Sequence, residues 1–244
     1  MTSASHLTDN LALLAHETSL LVRTATGLDD ESIREPSRCE GWTRAHVLSH
    51  LARNSDGLRN LVGWAITGTP VAMYESAQAR EADIESGSHR GTDQIVADLE
   101  ASAARFASVA PDLAGPPEHS EVELRAGRKV LGGQLATLRL LEVVFHHVDL
   151  DAGYSFADAD PGFVKRAITN AVNGMIASSQ QPASAQSVML PSVVLFGDNG
   201  DTWSMGDGTQ EVTGTNAALL LWLARGDDAG VSSEQALPRL PAWG

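Results

Sequence analysis

The sequence has one cysteine, few basic side chains and no long apolar run, and each shortage excludes a class of protein. Cys39 is the only cysteine among 244 residues, so a disulfide framework and a cysteine-based zinc site are excluded. Seventeen basic residues stand against 31 acidic ones, which gives a net charge of −14. An acidic surface repels phosphate backbones and anionic membranes, so we expect no nucleic-acid partner and no membrane partner.

The chain also lacks the patterns of an exported or membrane-spanning protein. No stretch reaches the ~18 uninterrupted apolar residues of a candidate membrane span. The N-terminus has no basic segment followed by an apolar run, which a signal peptide requires. We therefore predict a cytoplasmic protein, and we expect it to be a monomer. Its length is sufficient for one large domain or two modest ones.

Helical periodicity dominates the first two-thirds of the sequence. Apolar spacing predicts helices over 7–27, 43–67, 92–110 and about 134–150, with Thr43 as the cap and Gly68 as the stop of the second. The helix over 134–150 is apolar almost all round, which is typical of the middle of a bundle. Residues 121–130 alternate loosely around Ala126-Gly127 and predict a short hairpin.

The pattern changes near residue 155. Asp160-Pro161 predicts the start of another helix, which extends to about Ala177. Short strands are predicted over 188–196, 202–205 and 211–213, followed by a helix over 216–224. The predicted fold class is therefore α+β, with a four-helix bundle over 1–157 and a small C-terminal α/β domain over 158–244.

A carboxylate and an imidazole on the most apolar helix are the first candidate metal ligands. Glu142 and His146 are four residues apart, so both leave the same face of the helix and can chelate one divalent ion. Burying them without a partner would cost several kcal/mol. A hydrogen bond on the helix surface, or a buried polar pair, also explains this spacing.

A second pair, His46 and His50, occupies the helix that follows Thr43. Both could bind metal, but the glutamate that follows the first histidine in zinc proteases is missing. His50 lies deeper in the apolar part of its helix. If the bundle brings it opposite Glu142 and His146, three protein ligands and an open fourth position indicate a catalytic zinc site. The same ligands suit non-haem iron, and we favour zinc because the site needs no redox chemistry.

Two other histidines are expected to have structural roles. His46 lies in the first turn of its helix, where it is partly exposed. His147 points about 100° away from its neighbour His146 on the helix surface. We therefore predict that neither of them binds the metal.

Three segments resemble the mycothiol-dependent maleylpyruvate isomerase family, which belongs to the DinB-like metal-dependent thiol transferases. They are the segment over 40–52 with Gly-Trp-Thr-Arg-Ala-His, the segment over 64–84 with Met-Tyr, and the segment over 139–150 with Glu-Val-Val-Phe-His-His-Val-Asp-Leu. The resemblance covers nearly the whole chain. It implies a DinB-like bundle, a sterol-carrier-like C-terminal domain, and zinc ligands at His50, Glu142 and His146.

The resemblance also implies an activity. Family members isomerise maleylpyruvate to fumarylpyruvate in gentisate degradation, with zinc and mycothiol as cofactors. Arginines from both domains line the active cleft, and the matching positions are Arg80 and Arg225. The expected partners are thus a small-molecule thiol and a small anionic electrophile.

Two other functions are consistent with the same residues. A mycothiol S-transferase would share the zinc and the thiolate but would conjugate an electrophile permanently. A non-catalytic zinc-binding regulatory module is the second alternative. The lack of cysteine ligands and the open coordination position argue against the module, and the segment over 73–84 favours the isomerase over the transferase.

Overall fold

The structure is a computed structural model that describes residues 3–179 and 190–240. The chain divides into two compact units, Met1–Tyr154 and Ser155–Gly244. The first is helical and the second combines helices with a small sheet, which confirms the predicted α+β class. Among the described helices, none has both the length and the apolar composition that a membrane span needs.

Four long helices form the bundle of the first unit: α1 (Ser3–Thr26), α2 (Arg44–Thr67), α4 (Thr92–Val109) and α5 (Leu135–Asp149). Helices α1 and α2 each pack against both α4 and α5. The apolar stripes of the four helices meet in a core whose largest fully buried members include Leu21, Leu48, Leu99, Phe106 and Leu140. The bundle therefore follows directly from the helical periodicity of the sequence.

The ends of α2 are fixed by the residues that the sequence indicates. Thr43 has an extended backbone and forms a capping box with His46, and Gly68 ends the helix in the left-handed conformation with φ 71°. A cap of this kind satisfies backbone donors that the first turn would otherwise leave without partners. The start of α2 is thereby set, and with it the position of His50 on the second turn.

A buried arginine joins α5 to α2. Arg139 is only 1% exposed, and its Nη1 donates to the Leu51 carbonyl and to Asn54 Oδ1, each at 2.8 Å. Burial lowers the pKa of this guanidinium to about 10, so it keeps its charge at neutral pH. Because the bonds fix one helix against the other, they set which residues of α2 face Glu142.

A short helix and a hairpin complete the first unit. Helix α3 (Ala77–Ser88) packs against α2 and is capped by Ser76, whose side chain accepts from the Ala79 amide. The apolar spacing of the sequence does not indicate this helix. The predicted hairpin is confirmed: β1 (Glu121–Glu123) pairs antiparallel with β2 (Lys129–Leu131), and Ala126 at its tip has φ 58°.

The second unit contains α6 (Pro161–Ser179), β3 (Val193–Phe196), β4 (Thr202–Met205), β5 (Gln210–Gly214), α7 (Asn216–Arg225) and β6 (Val231–Ser232). Its sheet has the order β4-β3-β5-β6, with β3 and β5 parallel and the other pairs antiparallel. Strand β6 was not predicted. The first residues of the strand predicted over 188–196 lie outside the described residues, and the likeness to sterol carriers stays a prediction.

Candidate metal centre

Three side chains from two helices meet on one side of the bundle. His50 on α2 faces Glu142 and His146 on α5, and their ligand atoms all lie within 4.8 Å of one another. Nε2 of His50 is 2.9 Å from Oε2 of Glu142, and Nε2 of His146 is 3.5 Å from the same oxygen. The Glu142 side chain is 34% exposed while that of His50 is 6% exposed, so the cluster is walled by protein but reachable from solvent.

The protein environment sets the charge of each of the three side chains in the cluster. Burial lowers the pKa of the His50 imidazole to about 4, so this ring is neutral at pH 7. Burial alone would raise the pKa of the Glu142 carboxyl, but hydrogen bonds with the two histidines hold it well below its usual range. Burial likewise disfavours charge on His146, yet hydrogen bonds with Asp149, Cys39 and Glu142 raise its pKa well above the usual range.

A carboxylate behind His146 orients its ring. Nδ1 of His146 donates to Oδ2 of Asp149 over 2.8 Å, and Asp149 is fully buried. The Cys39 thiol donates to the same oxygen over 3.5 Å. Cys39, His146 and Asp149 form a second group of potential ligands, and within it the 2.8 Å contact between Nδ1 and Oδ2 has the length of a hydrogen bond. Asp149 therefore directs Nε2 of His146 towards the first cluster.

Arg80 reaches the cluster from α3. Its Nη2 lies 3.0 Å from Nδ1 of His50, and its Cζ lies 5.7 Å from the centre of the Tyr74 ring. A guanidinium can only donate, so Nδ1 accepts and the proton of the neutral His50 ring sits on Nε2, facing Glu142. The buried Nε of Arg80 has no hydrogen-bond partner in the part of the chain that the structure describes.

The other predicted arginine belongs to the second unit. Arg225 is the last residue of α7, and its Nη1 donates to the Ala224 carbonyl over 2.9 Å. Its contribution to the cluster stays a prediction. Tyr74 and Asp149 were not assigned a role from the sequence, although the i, i+3 spacing from His146 to Asp149 was a signal for a ring-orienting carboxylate.

The remaining histidines of these helices have structural contacts. Nδ1 of His46 lies 2.7 Å from Oγ1 of Thr43 and accepts from the Thr43 amide, which completes the helix cap. His147 points away from the cluster: its Nε2 is 2.7 Å from Oγ1 of Thr24, and its ring stacks on Tyr154 with centroids 3.6 Å apart. These contacts agree with the structural roles expected for both residues.

The fold and the cluster together define a class: a helical-bundle protein with two histidines and one carboxylate converging on a solvent-accessible site. A family model described as the mycothiol maleylpyruvate isomerase N-terminal domain matches residues 14–151. The chain belongs to this family.

Solved structures agree with this membership. The chain is similar to the mycothiol-dependent maleylpyruvate isomerase, with 27% sequence identity, full coverage of both chains and a TM-score of 0.86. The crystal structure of a histidine-to-alanine mutant of that enzyme matches with the same identity, coverage and score. Comparison with curated protein sequences gives no match.

Proposed function

We propose that this chain catalyses the zinc- and mycothiol-dependent isomerisation of maleylpyruvate to fumarylpyruvate, with His50, Glu142 and His146 as the zinc ligands. The observation that carries the proposal is the convergence of these three side chains on one point, in a member of a family named for this reaction. Two imidazoles and one carboxylate are the donor set of many catalytic zinc sites, in which the fourth position is left for a reactant.

The residues around the cluster fit such an ion. The neutral His50 ring offers a lone pair once its Nε2 proton moves to Nδ1, and the ionised Glu142 offers an oxygen. His146 has its Nδ1 proton held by Asp149, which is the arrangement that supports metal-binding histidines in other proteins. A bound zinc ion would supply stabilisation of a thiolate at neutral pH.

The thiol acts in this proposal as a covalent catalyst. Its thiolate adds to one carbon of the cis double bond of maleylpyruvate, and the electron pair of that bond moves onto the conjugated carbonyl as an enolate. The former double bond is now single and rotates. The enolate then expels the thiolate, the double bond forms again as trans, and the thiol is regenerated without any oxidant or reductant.

We propose that Arg80 binds the anionic substrate. When the Nε2 lone pair of His50 is used for a ligand bond, the ring proton lies on Nδ1, and Nδ1 can then no longer accept from Arg80. The guanidinium is then released from His50 and can donate to a carboxylate or to the enolate oxygen. Its buried Nε, which lacks a partner among the described residues, would be satisfied by the same anion. Arg225 is proposed as a second carboxylate-binding side chain.

The test combines a metal assay with a turnover assay. We expect one zinc per chain and maleylpyruvate turnover that requires added mycothiol. His50→Ala and His146→Ala should each lose zinc and activity, whereas His89→Ala, a substitution of a histidine whose side chain is 72% exposed, should keep both. Turnover without a thiol would overturn the mechanism, and zinc retained in both ligand variants would overturn the site.

A parallel assay with a halogenated dinitrobenzene separates the isomerase from a mycothiol S-transferase. The isomerase should regenerate the thiol and leave this electrophile largely unconjugated. Consumption of one thiol per electrophile, together with no turnover of maleylpyruvate, would assign the chain to the transferases. A zinc ion that stays bound in the presence of an added chelator, in a protein that binds no added thiol, would instead indicate a regulatory module.

A further inference from the structure

The first unit contains a cavity of about 680 Å³. One wall is formed by Trp64 of α2, the second by the segment from Ala72 to Ala77, and the third by the tip of the β1–β2 hairpin. Its volume falls within the range of about 300–1,000 Å³ that is usual for small-molecule sites. A cavity of this size greatly exceeds what a four-carbon or six-carbon dicarboxylate fills.

The cavity and the cluster share a wall. Tyr74 lines the cavity, its ring lies under the Arg80 guanidinium at 5.7 Å, and Arg80 contacts His50 at 3.0 Å. One layer of side chains therefore separates the cavity from the ligand atoms. A molecule with its sulfur at the cluster would have to pass the edge of Tyr74 to reach the cavity.

The close approach of this wall depends on a glycine. A Cβ at position 57 would lie 3.0 Å from the Met73 carbonyl and from Cε1 of Tyr74. Because Gly57 has no side chain, the segment that carries Tyr74 can rest directly on α2. The shared wall is therefore a built feature of the bundle.

The lining is chemically suited to a neutral, hydroxyl-rich body. Trp64 and Tyr74 present aromatic rings on which the C–H faces of a sugar can pack. Glu123 accepts and Arg125 donates at the hairpin, so hydroxyl groups can be held in both directions. Neither of these two side chains makes a hydrogen bond to another residue in the part of the chain that the structure describes. Since one acid stands beside one base, the cavity favours no net charge.

We propose that this cavity binds the sugar-bearing body of the thiol cofactor, with Trp64 packing against a sugar ring and Glu123 and Arg125 bonded to its hydroxyls. The inference rests on the proposed function, because it takes the thiol to be mycothiol, an N-acetylcysteine joined to glucosamine and inositol. It adds the site that distinguishes this thiol from others. Glutathione carries two carboxylates and an ammonium group in place of the sugar rings, so it offers Trp64 no sugar face to pack against.

The test compares a long and a short thiol on the zinc-loaded protein. Dissociation constants for mycothiol and for N-acetylcysteine are measured by calorimetry on the wild type, Trp64→Ala and Arg125→Ala. We expect about a tenfold or larger rise for mycothiol in each variant, with N-acetylcysteine changed less than twofold, because the short thiol does not reach the cavity. Arg128→Ala is the matched control, since Arg128 is an exposed arginine of the same hairpin that does not line the cavity.

The outcomes separate the inference from the proposed function. If the wild type isomerises maleylpyruvate with mycothiol but both cavity variants bind mycothiol as the wild type does, the inference is overturned and the function stands. If the cavity variants lose mycothiol selectively but the wild type turns over no maleylpyruvate, the function is overturned and the inference stands. Equal binding of glutathione and mycothiol by the wild type would also overturn the inference.

Discussion

The Nδ1 atom of His146 lies 2.8 Å from Oδ2 of Asp149, a carboxylate one turn further along the same helix that is fully buried. The bond fixes both the orientation of the imidazole and the position of its Nδ1 proton, so Nε2, which faces Glu142, is the nitrogen that a metal ion would bind in exchange for its own proton. A ligand whose tautomer is set in advance binds metal more tightly than a ring that is free to turn.

Replacement of Asp149 by Asn should weaken metal binding. The side chain keeps its size, but the charge that holds the Nδ1 proton is lost, and we expect a fall in zinc affinity of about 10- to 100-fold. The measurement is competition between the apo protein and a chromophoric chelator. Asp9→Asn, at an exposed position of α1, is the control. Unchanged affinity in the Asp149 variant would show that the carboxylate does not support the ligand.

Replacement of Arg80 by Met should tighten zinc binding and reduce turnover. The guanidinium donates to Nδ1 of His50, and it stabilises the tautomer that cannot ligate through Nε2. Removing this donor and its positive charge should raise zinc affinity several-fold. Loss of the anion-binding group should lower kcat/KM by about 100-fold or more, as for a charged group that stabilises a transition state.

The two effects of the Arg80 substitution have opposite signs, which makes them easy to separate from misfolding. Zinc affinity is measured by chelator competition and kcat/KM with saturating mycothiol. Arg23→Met, on the exposed face of α1, should change neither. Weaker zinc binding in Arg80→Met would contradict the competition between the guanidinium and the metal for His50.

His46 and His50 should respond differently to replacement by Ala. The His46 ring belongs to the cap of α2, so its loss should lower the free energy of unfolding of the apo protein by about 1 kcal/mol. Zinc affinity should stay within about twofold. The His50 variant should lose zinc altogether. Denaturant unfolding and metal titration give the two readouts, and zinc loss in His46→Ala would move that residue into the ligand set.

Gly57→Ala should reduce activity although Gly57 is not one of the proposed zinc ligands. The new Cβ would meet the Met73 carbonyl and the Tyr74 ring at 3.0 Å, so the segment that lies over α2 must shift and carry Tyr74 with it. We expect kcat/KM to fall about tenfold or more, measured with mycothiol and maleylpyruvate. Gly63→Ala on the same helix is the matched control because nothing lies within 4 Å of its Cβ. That substitution should stabilise the helix by about 0.5–1 kcal/mol, with activity unchanged.

Local spacing accounts for the part of the fold and the site that the sequence predicts. The apolar stripes define α1, α2, α4 and α5, and Thr43 and Gly68 define the ends of α2. Glu142 and His146 share one face of α5 because the helix repeat requires it. The meeting of this pair with His50 depends on how two helices pack, and spacing alone left His46 and His50 as alternatives.

Helix α3 escaped prediction because it has almost no apolar face. Ile84 is its only buried residue of large apolar type, and the helix lies on α2 by close contact at small residues. A Cβ on Gly87 would meet Oγ of Ser49 at 3.0 Å. Such contacts have no periodic signature, so neither the contact of Arg80 with His50 nor the wall formed by Tyr74 could be derived from spacing.

His50 and Glu142 are separated by 92 positions in the chain, so an ion bound to both closes a very long loop. Because the unfolded chain does not hold these side chains together, the ion would bind only the folded bundle, and its binding free energy would add to the free energy of unfolding. The ion would thus hold α2 and α5 together for as long as it is bound. In a cell starved of zinc the protein would then lose its activity. Its less stable bundle would also be degraded faster by proteases, so the amount of protein would fall as well.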